Sequence, residues 1–148
     1  MYNNTLGHRV LIAESNDELR WKYAKSFISE GYETYFVGNS AEAEHFYFWV
    51  KPDLLVVDSS MYQSDVLVKN VLYHNRNAGI LALISNTIVK MADVQPERNV
   101  EFMGKPTRPA GIERLLDYAR DMLEDEPECY DLDKWTERYE GSIPLAQT

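Results

Sequence analysis

Pro52-Asp53-Leu54-Leu55-Val56-Val57-Asp58 is an apolar run opened by a proline and closed by a carboxylate. Four consecutive apolar residues without polar alternation read as a strand covered on both faces, the habit of a parallel sheet between helix layers. Working outward, similar runs recur on either side. Val10-Leu-Ile-Ala ends at Glu14, Ile80-Leu-Ala-Leu-Ile ends at Ser85, and the short Val100-Glu-Phe-Met is followed at once by Gly104-Lys105-Pro106. In an open parallel sheet, ligands gather outside the carboxyl ends of the strands. Two acids, a hydroxyl and a lysine are thus expected at one edge.

Helix-like segments separate these runs. Asp17 is a candidate cap for a helix in which Leu19, Tyr23, Phe27 and Ile28 recur near helical spacing. Gly31 stands where a left-handed terminus is expected, and Thr34-Tyr-Phe-Val37 reads as a second strand. Ser40 is expected to cap a helix over Ala41 to Val50, which Pro52 stops. Ser64 or Asp65 opens another, reaching about His74. A short helical stretch, Thr87 to Ala92, precedes the last strand. Pro109 then starts a helix whose apolar stripe is Ile112, Leu115, Leu116, Ala119, Met122 and Leu123. Five strands alternating with helices predict an α/β, doubly wound five-stranded parallel sheet. Its expected order is 2-1-3-4-5, with helices on both faces.

The composition fits one domain, expected over residues 7–124, with an acidic carboxyl-terminal tail or linker over 125–148. Leu132, Trp135 and Tyr139 share one side of a possible short helix there, and docking tail or linker both stay open. A net charge of -9 argues against a nucleic-acid partner. The single cysteine, Cys129, fits a reducing compartment, and no apolar run suits a membrane span, so a cytoplasmic chain is expected. Histidines 8, 45 and 74 show no metal-ligand spacing and are read as surface or packing residues. The glycines form no nucleotide fingerprint. The run Phe46-Tyr-Phe-Trp49 cannot lie wholly on one helix face, which leaves either a contact surface or local packing under the tail.

Taken together, Val10-Leu-Ile-Ala-Glu-Ser15, Gly31-Tyr-Glu, Pro52 to Asp58 with Met61 three residues on, Ile84-Ser85 and Lys105-Pro106 resemble the receiver domain of bacterial two-component response regulators. The spacing carries the likeness: 43 residues from Ser15 to Asp58, 27 to Ser85 and 20 to Lys105. The resemblance implies a flavodoxin-like fold and a phosphoryl group accepted on Asp58 with Mg²⁺, held by Glu14 and Asp58. It makes Ser85 the switch hydroxyl and Lys105 the partner of phosphate. It also implies a histidine kinase or phosphotransfer protein upstream, a downstream protein target, and possible homodimerisation through the outer edge of the last helix (Arg114, Tyr118, Asp121). No conventional enzyme is implied, only self-phosphorylation and self-dephosphorylation, and no DNA-binding output is expected in this chain.

The chemistry agrees with those roles. An aspartate accepts phosphoryl only if the incoming charge is neutralised and aligned. Mg²⁺ binds through one or two carboxylates, lysine serves as a point charge, and the new phosphate carries about -1.5 to -2 charge, enough to draw in a loop bearing Ser85. Duller readings stand beside these: Asp58 as a helix cap, Lys105 as a mere neutraliser, Ser85 as a turn residue. The sequence also departs from the family pattern. Ser15 replaces the second acid of the pair, which weakens the expected metal site. Tyr62 and Val66 replace a proline and a glycine after the acceptor, Asn86 stands where a small residue is usual, and Phe102 replaces a switch tyrosine. The alternative is a pseudo-receiver, a protein-interaction module that works without phosphorylation.

Overall fold

The computed structural model describes residues 7–85 and 99–124. Five strands, β1 (Arg9–Ala13), β2 (Glu33–Val37), β3 (Leu54–Asp58), β4 (Ile80–Ile84) and β5 (Val100–Gly104), form one parallel sheet in the order β2-β1-β3-β4-β5. Four helices accompany them: α1 (Asp17–Ser29), α2 (Ser40–Val50), α3 (Ser64–His74) and α4 (Pro109–Leu123). The expected topology and strand order are those observed. The expected Thr87–Ala92 helix, Asn86 and the tail lie outside the described residues.

The all-apolar reading of β3 has a direct cause: every residue of it is buried. Leu55 and Val57 point into a core with α2 and α3, where Tyr47, Leu67, Val68 and Val71 pack. Leu54 and Val56 point the other way, onto Tyr23 and Phe27 of α1 and Leu115 and Ala119 of α4. The sheet therefore separates two cores. Within the α4 stripe, Ile112, Leu115, Ala119 and Leu123 are buried, while Leu116 and Met122 pack at the margin.

Local signals shift by a residue at several ends. Asn16, not Asp17, caps α1, its side-chain oxygen accepting from the Leu19 N–H at 2.9 Å. Asn39 caps α2 through Glu42 N–H (2.8 Å), and Ser40 instead donates its hydroxyl to the Tyr62 carbonyl at 2.6 Å. Ile28 is exposed, not part of the core. Gly31 does take a left-handed φ of +97°. The aromatic run divides as its helical spacing requires: Tyr47 is buried, Phe46 is half-buried, and Phe48 and Trp49 are exposed. His45 and His74 lie on that surface against Phe46, Trp49, Phe48 and Tyr73.

Candidate functional site

Parallel register brings the strand-end residues together. Ala13 lies opposite Val57 and Ile84 opposite Gly104, so Glu14, Asp58 and Lys105 all emerge at one edge. The backbone there is fixed from several sides. Glu14 N–H donates to Val37 O (3.1 Å), and Lys105 N–H donates to Ile84 O (2.8 Å). The Glu14 carbonyl accepts from the Arg20 guanidinium at 3.0 Å, which ties the end of β1 to α1.

Three charged side chains meet inside this frame. Lys105 Nζ stands 3.0 Å from Asp58 Oδ2 and between the two oxygens of Glu14, 3.0 Å from Oε1 and 3.1 Å from Oε2. Only the contact with Oε2 is aligned as a hydrogen bond; Oε1 is buried and has no hydrogen-bond donor. Asn16 N–H donates to Glu14 Oε2 as well, at 2.9 Å. Asp58 Oδ1 accepts from the backbone N–H (3.1 Å) and hydroxyl (2.9 Å) of Ser60. Both acids are withdrawn from solvent, Glu14 at 0% exposure and Asp58 at 2%.

One ammonium answers two buried carboxylates, so the ionised trio carries a net negative charge in a poorly screening environment. Burial pushes the Glu14 carboxyl above its ordinary value; the Asn16 and Lys105 hydrogen bonds oppose this, and the Asp58 charge adds to it. Burial also works against the Lys105 ammonium, but its hydrogen bonds to Asp58 and Glu14 outweigh that and raise its pKa.

Ser85 follows β4 by one residue and is exposed. Among the described residues it makes no hydrogen bond to the trio. Glu14, Asp58 and Lys105 are thus joined, and Ser85 stands beside them unjoined. Ser15 is exposed.

Two contacts escaped the sequence reading. Ser60 holds one oxygen of Asp58, and its signal was present: a hydroxyl two residues after an aspartate is the spacing of a local turn. Tyr23, read only as a core residue, donates its buried hydroxyl to the Pro106 carbonyl at 2.5 Å, anchoring the segment that bears Lys105. Burial raises the Tyr23 pKa, helped by the negative charges of Glu14 and Asp58, so its proton stays in that bond.

Solved structures with this arrangement of elements are numerous. The receiver domain of Francisella response regulator 1452 superposes with a TM-score of 0.67 at 17% identity, over 80% of this chain and 98% of that one. The response regulator receiver protein from Sinorhizobium medicae gives 0.68 at 15% identity, over 80% and 95%. Chemotaxis protein CheY4 of Vibrio cholerae gives 0.65 at 20% identity, over 76% and 98%. This chain has the receiver fold. No family model matches the sequence, and no curated protein matches it, so the likeness speaks to the fold alone.

On this receiver fold the departures noted in the sequence occupy definite places. Tyr62, 78% exposed, and Val66, also exposed, belong to the turn and the start of α3 that follow Asp58. That segment is wound tightly: Met61 N–H donates to Asp58 O (3.1 Å), and the Ser64 hydroxyl to Ser59 O (2.7 Å). Phe102 is half-buried against the α2–α3 side of the sheet.

For a hard cation such as Mg²⁺ the residues offer a minimal fit. Glu14 and Asp58 supply carboxylate oxygens at one point, and Glu14 Oε1 is a buried oxygen lacking a donor. That matches the one or two carboxylates Mg²⁺ usually takes from a protein. No group of three potential ligands forms among the described residues.

Proposed function

We propose that this receiver fold serves phosphorelay signalling, taking a phosphoryl group onto Asp58 from a histidine kinase or phosphotransfer protein and passing the change to a downstream protein. The observation that carries the reading is Lys105 Nζ 3.0 Å from the Asp58 carboxylate at the carboxyl edge of the sheet. Bound at Glu14 and Asp58, Mg²⁺ would supply the neutralisation that an incoming phosphoryl group needs. The remaining work falls to the chain itself. Ser60 and Lys105 hold the two oxygens of Asp58 in a fixed plane, so the carboxylate is oriented before a donor arrives. Transfer requires one oxygen to leave its present donor, and Lys105 is placed to shift its charge onto a phosphoryl oxygen. Ser85 is the hydroxyl nearest in the chain to β4's end and would turn toward the new group.

The test uses the full chain with millimolar Mg²⁺ and a small phosphodonor, followed by intact mass and by two-dimensional amide spectra; beryllofluoride serves as a non-covalent check. The expected result is a phosphoryl mass increment lost in Asp58→Asn, with amide shifts around Ser85 and Lys105. An unaltered mass and spectrum at saturating metal and donor would remove the reading.

A second reading is favoured by specific observations. Asp58 is almost sealed, both its oxygens are engaged, and Ser15 supplies no second acid. These support a module that binds a partner without phosphorylation. Its signature is partner binding identical for the native chain and Asp58→Asn.

A further inference from the structure

The outer surface of α2 and α3 carries aromatic rings that neither core takes up. Trp49 is 73% exposed and Tyr73 82%, with Phe48 between them in part-exposed contact with His74. His74 also meets Tyr73, and His45 meets Trp49, so rings line both helices. Trp49, Tyr73 and Phe48 alone leave about 400 Å² of ring surface in water, the size of a functional apolar patch. That is about half of the roughly 800 Å² each partner gives to a stable interface.

Two contacts fix how the helices lie. Asn70 Nδ2 donates to Glu44 Oε2 at 3.2 Å, and the rings of Phe48 and His74 meet at 5.0 Å. Both pairs are 26 residues apart in the chain, so α2 and α3 run the same way, side by side. Down the outward side of α2 come Glu42, His45 and Trp49; at the same spacing down α3 come Val66, Lys69 and Tyr73. Along the axis, Glu42 is within about 1.5 Å of the level of Lys69, and Trp49 within about 3 Å of that of Tyr73. Glu42 and Lys69 are exposed, and neither has an ion-pair partner among the described residues.

A second copy of this chain supplies the matching surface. A two-fold axis running along the helices, between them, lays α2 of one copy over α3 of the other at unchanged level. Glu42 of each copy then meets Lys69 of the other, and Trp49 of each meets Tyr73 of the other. Every contact is made twice. With the axis across the helices, α2 lies antiparallel on α2, and the acid and the lysine no longer meet.

We propose that α2 and α3 form a self-association surface, which binds a second copy of this chain across a two-fold axis parallel to the helices. Glu42 faces Lys69, and Trp49 faces Tyr73, of the other copy. The outer edge of α4 takes no part, and the inference holds whether or not Asp58 takes phosphate.

Sedimentation of the full chain from micromolar to millimolar concentration should show a monomer–dimer equilibrium. Glu42→Lys and Lys69→Glu, each alone, should weaken it about tenfold or more, because symmetry turns two attractive contacts into two repulsive ones. Mixing these two variants should restore association as a heterodimer, since each lysine of one then meets an acid of the other; that recovery also shows both variants to be folded. Trp49→Ser with Tyr73→Ser should abolish association, and Arg114→Glu on α4 should leave it unaltered. A chain monomeric throughout that range, whose aromatic strip would then belong to a different protein, would overturn the proposal. So would a dimer indifferent to the single reversals, or a mixture that associates no better than its components.

Discussion

Among the described residues Lys105 is the single cation shared by two buried carboxylates, and that ratio orders the effects of substitution. Lys105→Met leaves the buried Glu14 and Asp58 facing each other without the counter-charge that Lys105 supplies, a loss of about 3–5 kcal/mol in urea unfolding. Asp58→Asn keeps an acceptor for Ser60 and leaves Lys105 paired with Glu14, so about 1 kcal/mol is expected. If the two variants unfolded alike, the trio would not be holding the edge together. Glu14 adds a pH signature. Its folded pKa lies above the unfolded value of 4.5, so in the window just above 4.5 the folded chain keeps a proton that the unfolded chain has lost. Stability from this group therefore falls as pH rises through the raised value and returns as pH drops toward 4.5. Measured against Glu14→Gln, which cannot titrate, the native chain should gain relative stability between neutral pH and 4.5. The acids and lysine were legible because charged residues closing apolar runs have few structural reasons to be there. Tyr23 was not, since its spacing fits a core stripe equally well and nothing in the sequence marks where its hydroxyl points.

At the scale of elements, the helix ends carry the instructive errors. Asn16 and Asp17, like Asn39 and Ser40, are adjacent residues that both suit a cap, and pattern alone cannot choose between them. Asn16→Ala should lower stability by about 1 kcal/mol, whereas Asp17→Ala should lose only its exposed pairing with Arg20, worth well under that; thermal denaturation of the pair distinguishes them. Lys51 ends α2 with a left-handed φ of 55°, a conformation that costs a side-chain-bearing residue about 1 kcal/mol. Lys51→Gly is expected to recover part of that and to raise the denaturant midpoint without changing its slope. Strand positions were far easier to read, because a strand buried on both faces tolerates no polar residue until it reaches the edge.

For the whole molecule, the two cores meet only through the sheet, and its strands are unequally shielded. β3 is buried throughout and β1 and β4 nearly so, while β2 and β5 have several exposed positions. Amide exchange should be slowest in β3 and its neighbours and fastest in the two outer strands. An outer strand as protected as β3 would mean that another surface covers it. This inequality follows from the strand order, which the crossover rules gave in advance.

The Tyr23–Pro106 bond closes a loop of structure between the first helix and the approach to the last. The Lys105 backbone, one residue from that anchor, has little travel of its own: displacing it far means rupturing the bond or dragging α1 along. Trp21 lies exposed on the same helix, two residues before Tyr23. A molecule that shifted α1 there would pull on the Lys105 backbone, and by reciprocity a displacement of that backbone would bear on α1.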